Sequence, residues 1–179
     1  FCGMMGETYG DYFMEKELII EMRQAIKLGE LAKVTKLLTN NKGLIDAETP
    51  FGTFLHDATS YGKYEIAEYL INNKMDVNKK GGTRKSSAMA TASFKGYIDI
   101  VKLLYDNGAT LDTSTFEGNP LFAAIPNNHV DVAKFLIDKG IDLTASYAIG
   151  KIDNCDALEY ARQYGATEIY NYLKEKMQK

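Results

Sequence analysis

A turn residue recurs along this chain at nearly constant spacing, and that recurrence restricts the fold more than any other feature. Gly62 separates one apolar helical pattern (Leu55, Ala58) from a second (Ile66, Ala67, Leu70, Ile71). The equivalent positions are Gly29, Gly96, Asn128 and Gly165, so successive turns lie 33, 34, 32 and 37 residues apart. A turn that demands positive φ accepts Gly most readily and Asn next, so Asn128 obeys the same physics as the glycines. Self-similarity at such a period marks small supersecondary units that share one core by stacking.

Each unit reads as two helices joined by a tight turn. From Glu17, Leu18, Met22, Ala25 and Ile26 recur at three- and four-residue steps until Gly29; Leu31, Val34, Leu37 and Leu38 follow on one face and fade at Asn40 to Gly43. In the next unit Thr53 can cap the first helix and Gly62 supplies the residue past its end. Pro126 disfavours helical geometry at Ile125, so that helix should end early, whereas Pro120 falls in a first turn, where a missing N–H costs little. The polar connectors 46–50, 79–85, 113–117 and 146–150 fit projecting hairpin loops. Residues 1–15, with three glycines and four aromatics but no periodic apolar face, are expected to form an irregular leader or cleavage remnant, with Met4, Met5 or Met14 as possible natural starts. The polar run 174–179 suits the closing face of a solenoid. The expected architecture is an all-α solenoid of about five helix-turn-helix units with hairpin loops over 16–179, in approximate repeats 16–48, 49–82, 83–115, 116–148 and 149–179.

Within this pattern, Thr53-Phe54-Leu55-His56-Asp57-Ala58 resembles the Thr-Pro-Leu-His-x-Ala signature of the ankyrin repeat family, with Phe54 in place of proline. Asn119-Pro120-Leu121-Phe122-Ala123-Ala124 keeps the proline and loses the histidine; Ser87 to Ala92 is a weaker copy. The family's later signature, Gly-x-x-x-Ile-Val-x-x-Leu-Leu ending in Gly-Ala-Asp-Val-Asn, is similar to Gly96 through Ala109 and to Gly62 through Asn78, and Asp156 to Gly165 resembles a closing repeat. The resemblance covers 17 to about 176. It implies L-shaped units stacked into a slightly curved array with a protein-binding role.

Composition agrees with an ordered, non-exported array. Of 179 residues, 45% are hydrophobic and 25% charged, which argues against disorder, collagen or a coiled coil. The formal charge of -3 gives no electrostatic reason to expect nucleic acid or an acidic membrane as general partner. Two cysteines, Cys2 and Cys155, indicate neither a disulfide framework nor a zinc site. No apolar run approaches the roughly 18 residues that span a bilayer, and the opening stretch lacks a signal-peptide pattern. A cytoplasmic monomer without metal or cofactor is expected.

No catalytic constellation is visible, and the chain is expected not to be an enzyme. His56 and Asp57 are adjacent on a helix and point in different directions; His56 also occupies the family's structural histidine position, which implies a hydrogen bond to backbone between neighbouring loops. His129, after the turn at Asn128, should cap or decorate a surface helix. Cys155 has no basic neighbour in sequence to lower its pKa. Lys80-Gly81-Gly82-Thr83 lacks P-loop spacing and has no helix N-terminus behind it.

Candidate partner-binding residues fall in two groups. Lys79, Lys80, Arg84 and Lys85 place four positive charges within seven residues, either as a solvated loop tip or as an electrostatic anchor. By analogy with the family, the residues just before each turn face the concave side, which nominates Tyr61, Phe94, Lys95, Asn127 and Tyr164. Tyr61, Phe94 and Tyr164 would form an exposed aromatic row suited to a binding hot spot, or else pack on the neighbouring helix. Tyr69, Tyr105 and Tyr172 belong to outer or packing positions.

These features favour a non-catalytic scaffold that binds a partner protein through its concave groove and loop tips. Alternatives are an inhibitor or immunity-type protein that neutralises a toxic enzyme, and binding of nucleic acid or a phosphorylated ligand through the basic loop.

Overall fold

Apolar residues at three- and four-residue steps make each helix two-faced, and the helices pair so that these faces meet. The computed structural model describes residues 6–83 and 85–178. In chain order the helices are α1 (Gly6–Leu28), α2 (Leu31–Asn40), α3 (Phe54–Ser60), α4 (Tyr64–Asn72), α5 (Ala88–Lys95), α6 (Ile98–Asp106), α7 (Pro120–Ala124), α8 (Val130–Asp138), α9 (Ala157–Gln163) and α10 (Thr167–Met177). Each odd-numbered helix packs on the even-numbered one after it. The odd helices also stack on one another in sequence order, as do the even ones, so the chain forms two parallel layers.

The five inter-helix turns are built alike. Gly29, Gly62, Gly96 and Gly165 have φ of 83, 65, 74 and 65°, and Asn128 has φ of 53°. In each, the N–H of the next residue reaches back to an alanine carbonyl: Glu30 to Ala25, Lys63 to Ala58, Tyr97 to Ala92, His129 to Ala124 and Ala166 to Ala161, all at 2.9–3.1 Å. This back-bonding satisfies carbonyls that a helix end leaves without partners. The five alanines are fully buried. The turn glycines also receive the next unit: the Tyr97 ring lies where a Cβ on Gly62 would project, and the His129 ring where one on Gly96 would.

The helix before Pro126 ends early as expected, but Ile125 itself keeps helical angles, φ -61° and ψ -48°, against the expectation that the proline would disfavour them. The α7 helix stops at Ala124, and Ile125–Asn127 tightens into a 3-10 turn before Asn128. Pro120 is in the first turn of α7, where Asn119 accepts hydrogen bonds from the Leu121 and Phe122 N–H groups.

Buried side chains from both layers form one continuous core, with Met22, Ile26, Leu55, Leu70, Met89, Leu104, Leu121, Leu136 and Ile169 among its members. Each such leucine or isoleucine contributes about 1.5–3 kcal/mol through burial. Tyr69, Tyr105 and Tyr172 are partly buried against this core, and Tyr105 meets Phe135 edge-on.

The structure departs from the expected picture in two places. The fold is not purely helical: β1 (Ser146–Ile149) and β2 (Ile152–Asp156) pair antiparallel in the last connector, and single bridges Thr49 to Gly52 and Gly81 to Ser86 close the first two. Residues 6–15, expected to be irregular, continue α1. A helix that is nucleated by its docked part, Met22 to Ile26, adds further turns at little cost even without an apolar face. Residues 1–5 of the expected leader lie outside the described residues.

Candidate protein-interaction face

The inner helices α1, α3, α5, α7 and α9 and the hairpins between the units form one side of the molecule, and the expected aromatic positions project there. Tyr61, Phe94 and Tyr164 are 38%, 47% and 53% exposed. They line two grooves on this side. Tyr61 lines a groove of about 710 Å³ between α1, the Thr49 to Gly52 turn and α3. Phe94 and Tyr164 line a groove of about 350 Å³ between α5, α7 and α9, whose walls include Phe116, Phe122, Pro126 and Tyr160.

The walls of the second groove are closely packed aromatic rings. Phe116 meets Phe122, Tyr147 and Tyr160 edge-on at 5.8, 5.9 and 5.7 Å, and Phe122 stacks on Tyr160 at 4.9 Å. Tyr147 anchors this cluster to the backbone: its hydroxyl donates to the Thr113 carbonyl at 2.6 Å and accepts from the Asn119 amide at 3.0 Å. Tyr164 leans on Tyr160 with ring centroids 4.8 Å apart, so it serves packing and exposure together. Lys95 Nζ lies 5.9 Å from the Phe94 ring centroid, and Lys27 Nζ lies 6.0 Å from that of Tyr61. Of these two lysines, Lys27 lines the first groove together with Tyr61.

Asn127 has a structural task. Its Nδ2 donates to the Phe94 carbonyl at 3.0 Å, and His129 Nε2 donates to the same oxygen at 3.0 Å. His129 stands at the N-cap position of α8, as expected, but its ring makes no side-chain cap; it stitches two units across 35 residues instead. The reason is the glycine at 96, which leaves room for the ring.

His56 is likewise a structural group. Thr53 N–H donates to its Nδ1 at 3.2 Å, which puts the proton on Nε2, and Nε2 donates to the Ser86 carbonyl of the next hairpin at 3.0 Å. Burial pushes its pKa down, opposed by the Ser86 bond and the charge of Asp57. Asp57 points elsewhere, to Arg23, whose Nε and Nη2 donate to Oδ2 and Oδ1 at 2.8 and 3.0 Å. The Arg23 guanidinium also covers the Phe51 ring at 4.2 Å. This Phe51, Arg23, Asp57 arrangement was not foreseen from sequence, because nothing local links positions 34 apart.

The basic loop carries less free charge than its sequence suggests. Lys79 pairs with Glu48 and Lys80 with Asp112, both at 2.6 Å. The hydrogen bond from Lys80 leads in holding Asp112 down to about 2, helped by Ser114. Stacking brings acidic residues of the neighbouring hairpins beside these lysines, which a reading of the loop alone misses. Lys85 is exposed, with φ of 48°; Arg84 lies outside the described residues. Cys155 is fully buried, and burial raises its thiol pKa. Among the described residues no His, Cys, Asp or Glu cluster could hold a metal ion, and no helix is long and apolar enough to cross a membrane.

Comparison with known proteins agrees with this geometry. The family described as ankyrin repeats (3 copies) matches residues 22–115 and 92–179. A putative ankyrin repeat protein of Rickettsia felis is 28% identical over 137 residues, covering 72% of this chain and 59% of its own length. The target of rapamycin complex 2 subunit AVO2 of Saccharomyces cerevisiae is 30% identical over 153 residues, covering 82% and 36%. Alpha-latrocrustotoxin-Lt1a of Latrodectus tredecimguttatus is 37% identical over 103 residues, covering 56% and 7%. The chain thus spans less than two thirds of the length of each of these relatives. It belongs to the ankyrin repeat family, whose repeats generally mediate protein–protein interaction and are generally non-catalytic.

Proposed function

We propose that this chain is a non-catalytic interaction module of about five ankyrin repeats that binds a partner protein through the inner-helix face and the hairpin tips. The observation that carries this reading is the pair of half-exposed aromatics, Phe94 and Tyr164, standing at a groove walled by packed aromatic rings. Large rings held in place by packing lose little entropy on binding and can bury much area, which is why aromatics dominate interface energetics. The reading includes a cytoplasmic setting, in keeping with a buried and unpaired Cys155.

Affinity purification from the native cell, with wild type and the Phe94→Ala/Tyr164→Ala variant in parallel, tests it. The Phe94 carbonyl that receives Asn127 and His129 is backbone and survives the substitution. A protein that co-purifies with the wild type should be lost from the variant, while circular dichroism shows the fold retained. Undiminished capture by the folded variant rules the groove out.

A further inference from the structure

The first groove differs in chemistry from the second, and the difference bears on the partner. On α1, Lys16, Ile20, Arg23 and Lys27 recur at steps of four, three and four, so they lie along one helix face. That face lines the groove opposite Pro50 and Tyr61. Ile20 is 60% exposed, and Phe51 beside the groove is 65% exposed.

The charges along this stripe are not equivalent. Arg23 is committed to Asp57 by two hydrogen bonds, and Glu48, on the hairpin side, to Lys79 at 2.6 Å. Lys16 and Lys27 are exposed and have no acidic partner among the described residues; Lys27 rests near the Tyr61 ring. The groove therefore presents two cations without an acidic partner among the described side chains, flanking an exposed isoleucine, in a chain whose net charge is -3.

We infer that this groove takes an acidic segment of a partner protein, with a carboxylate for each of Lys16 and Lys27 and an aliphatic or aromatic side chain between them on Ile20 and Tyr61. The inference rests on the interaction reading above and specifies the partner's chemistry at one end of the same face. Charge complementarity selects the segment: a basic or neutral peptide would leave both lysines unmatched, whereas an acidic one without an apolar residue would leave Ile20 in water. A nucleic acid supplies the charge but no aliphatic anchor.

A random dodecapeptide library displayed on phage and panned on the purified full chain tests this without assuming a sequence. The expected result is enrichment of acidic peptides carrying a Leu, Ile or Phe. Their affinity, read by fluorescence anisotropy, should fall about tenfold in Lys16→Ser/Lys27→Ser. Raising salt from about 50 to about 300 mM should weaken binding as well. Lys36→Ser/Lys174→Ser, which removes the same charge elsewhere, should leave affinity unchanged. Enrichment of basic or neutral peptides, or acidic peptides indifferent to Lys16→Ser/Lys27→Ser, overturns the inference. So does equal competition by a single-stranded oligonucleotide, or self-association in sedimentation that the same variant abolishes, which would make the groove a site for nucleic acid or a second copy. Basic peptides together with loss of the native partner in Phe94→Ala/Tyr164→Ala overturn this inference alone; failure of both panning and native capture overturns the interaction reading itself.

Discussion

Arg23 on α1 donates two hydrogen bonds to Asp57 on α3, and Asp57 is buried while Arg23 remains partly in solvent. The hydrogen bonds to Asp57 are the main reason the Arg23 pKa rises. Removing the arginine leaves a carboxylate with little access to water, which costs more than an exposed ion pair is worth and less than breaking a fully buried one. Arg23→Ala should lower stability by about 2 kcal/mol. Arg23→Ala/Asp57→Ala should be less destabilised than the sum of the single variants. Urea denaturation of the four proteins gives the coupling directly; additive losses would mean the two residues act independently.

His56 links stability to pH. Its folded-state pKa is lowered mainly by burial, whereas in the unfolded chain it titrates near about 6.5. Protonation therefore favours the unfolded state. The histidine's contribution is fully present above the unfolded value and is lost as pH falls from there toward the depressed folded value. The chain has two histidines, so a His129→Gln background isolates the effect. In that background, unfolding free energy should decline as pH falls below the unfolded value of about 6.5, and His56→Gln should flatten the slope while losing roughly 1–2 kcal/mol at neutral pH. An unchanged slope would assign the pH dependence to other groups.

What was legible in the sequence is what local physics determines. Turn positions at Gly62 and Asn128, the early end of α7 before Pro126, and the apolar faces of α2 and α4 follow from φ preference and periodicity within about ten residues. The contacts that define the candidate face are of another kind. Arg23 with Asp57, His129 with Phe94, and Lys80 with Asp112 join residues about one repeat apart, and their existence depends on the stacking register. The repeat period says which units are neighbours but not which side chains meet.

Lys74 marks a local feature that periodicity did not expose. It has φ of 70° at the end of α4, where the outer helices α6 and α8 place Gly108 and Gly140 with φ of 87 and 81°. The hydrogen bonding is the same at all three: Met75 N–H reaches Leu70, Ala109 reaches Leu104 and Ile141 reaches Leu136. A side chain in the left-handed region is strained by its Cβ, so Lys74→Gly should stabilise the protein by about 1 kcal/mol despite the added freedom of the unfolded chain. A shift of the urea midpoint to higher concentration at constant slope checks this; a loss of stability would show that the Lys74 side chain makes a contact worth more than the strain.

Gly81 is required for a different reason, since its backbone is not in the left-handed region. A Cβ there would lie 2.6 Å from the Gly52 Cα and 3.2 Å from His56 Cε1. The two neighbouring hairpins thus approach through glycine backbones, and this approach sets the distance at which His56 reaches the Ser86 carbonyl at 3.0 Å. The contact is with main chain on a bridged turn, which cannot rotate away as a side chain would. Gly81→Ala must push the hairpins apart and should cost about 1–3 kcal/mol as an overpacked contact. It should also lengthen the His56 bond to the Ser86 carbonyl. Gly43→Ala, where a Cβ meets nothing within 4 Å, is the control. If Gly81→Ala were as benign as the control, the His56 bond would have to survive a hairpin spacing that does not admit a methyl group.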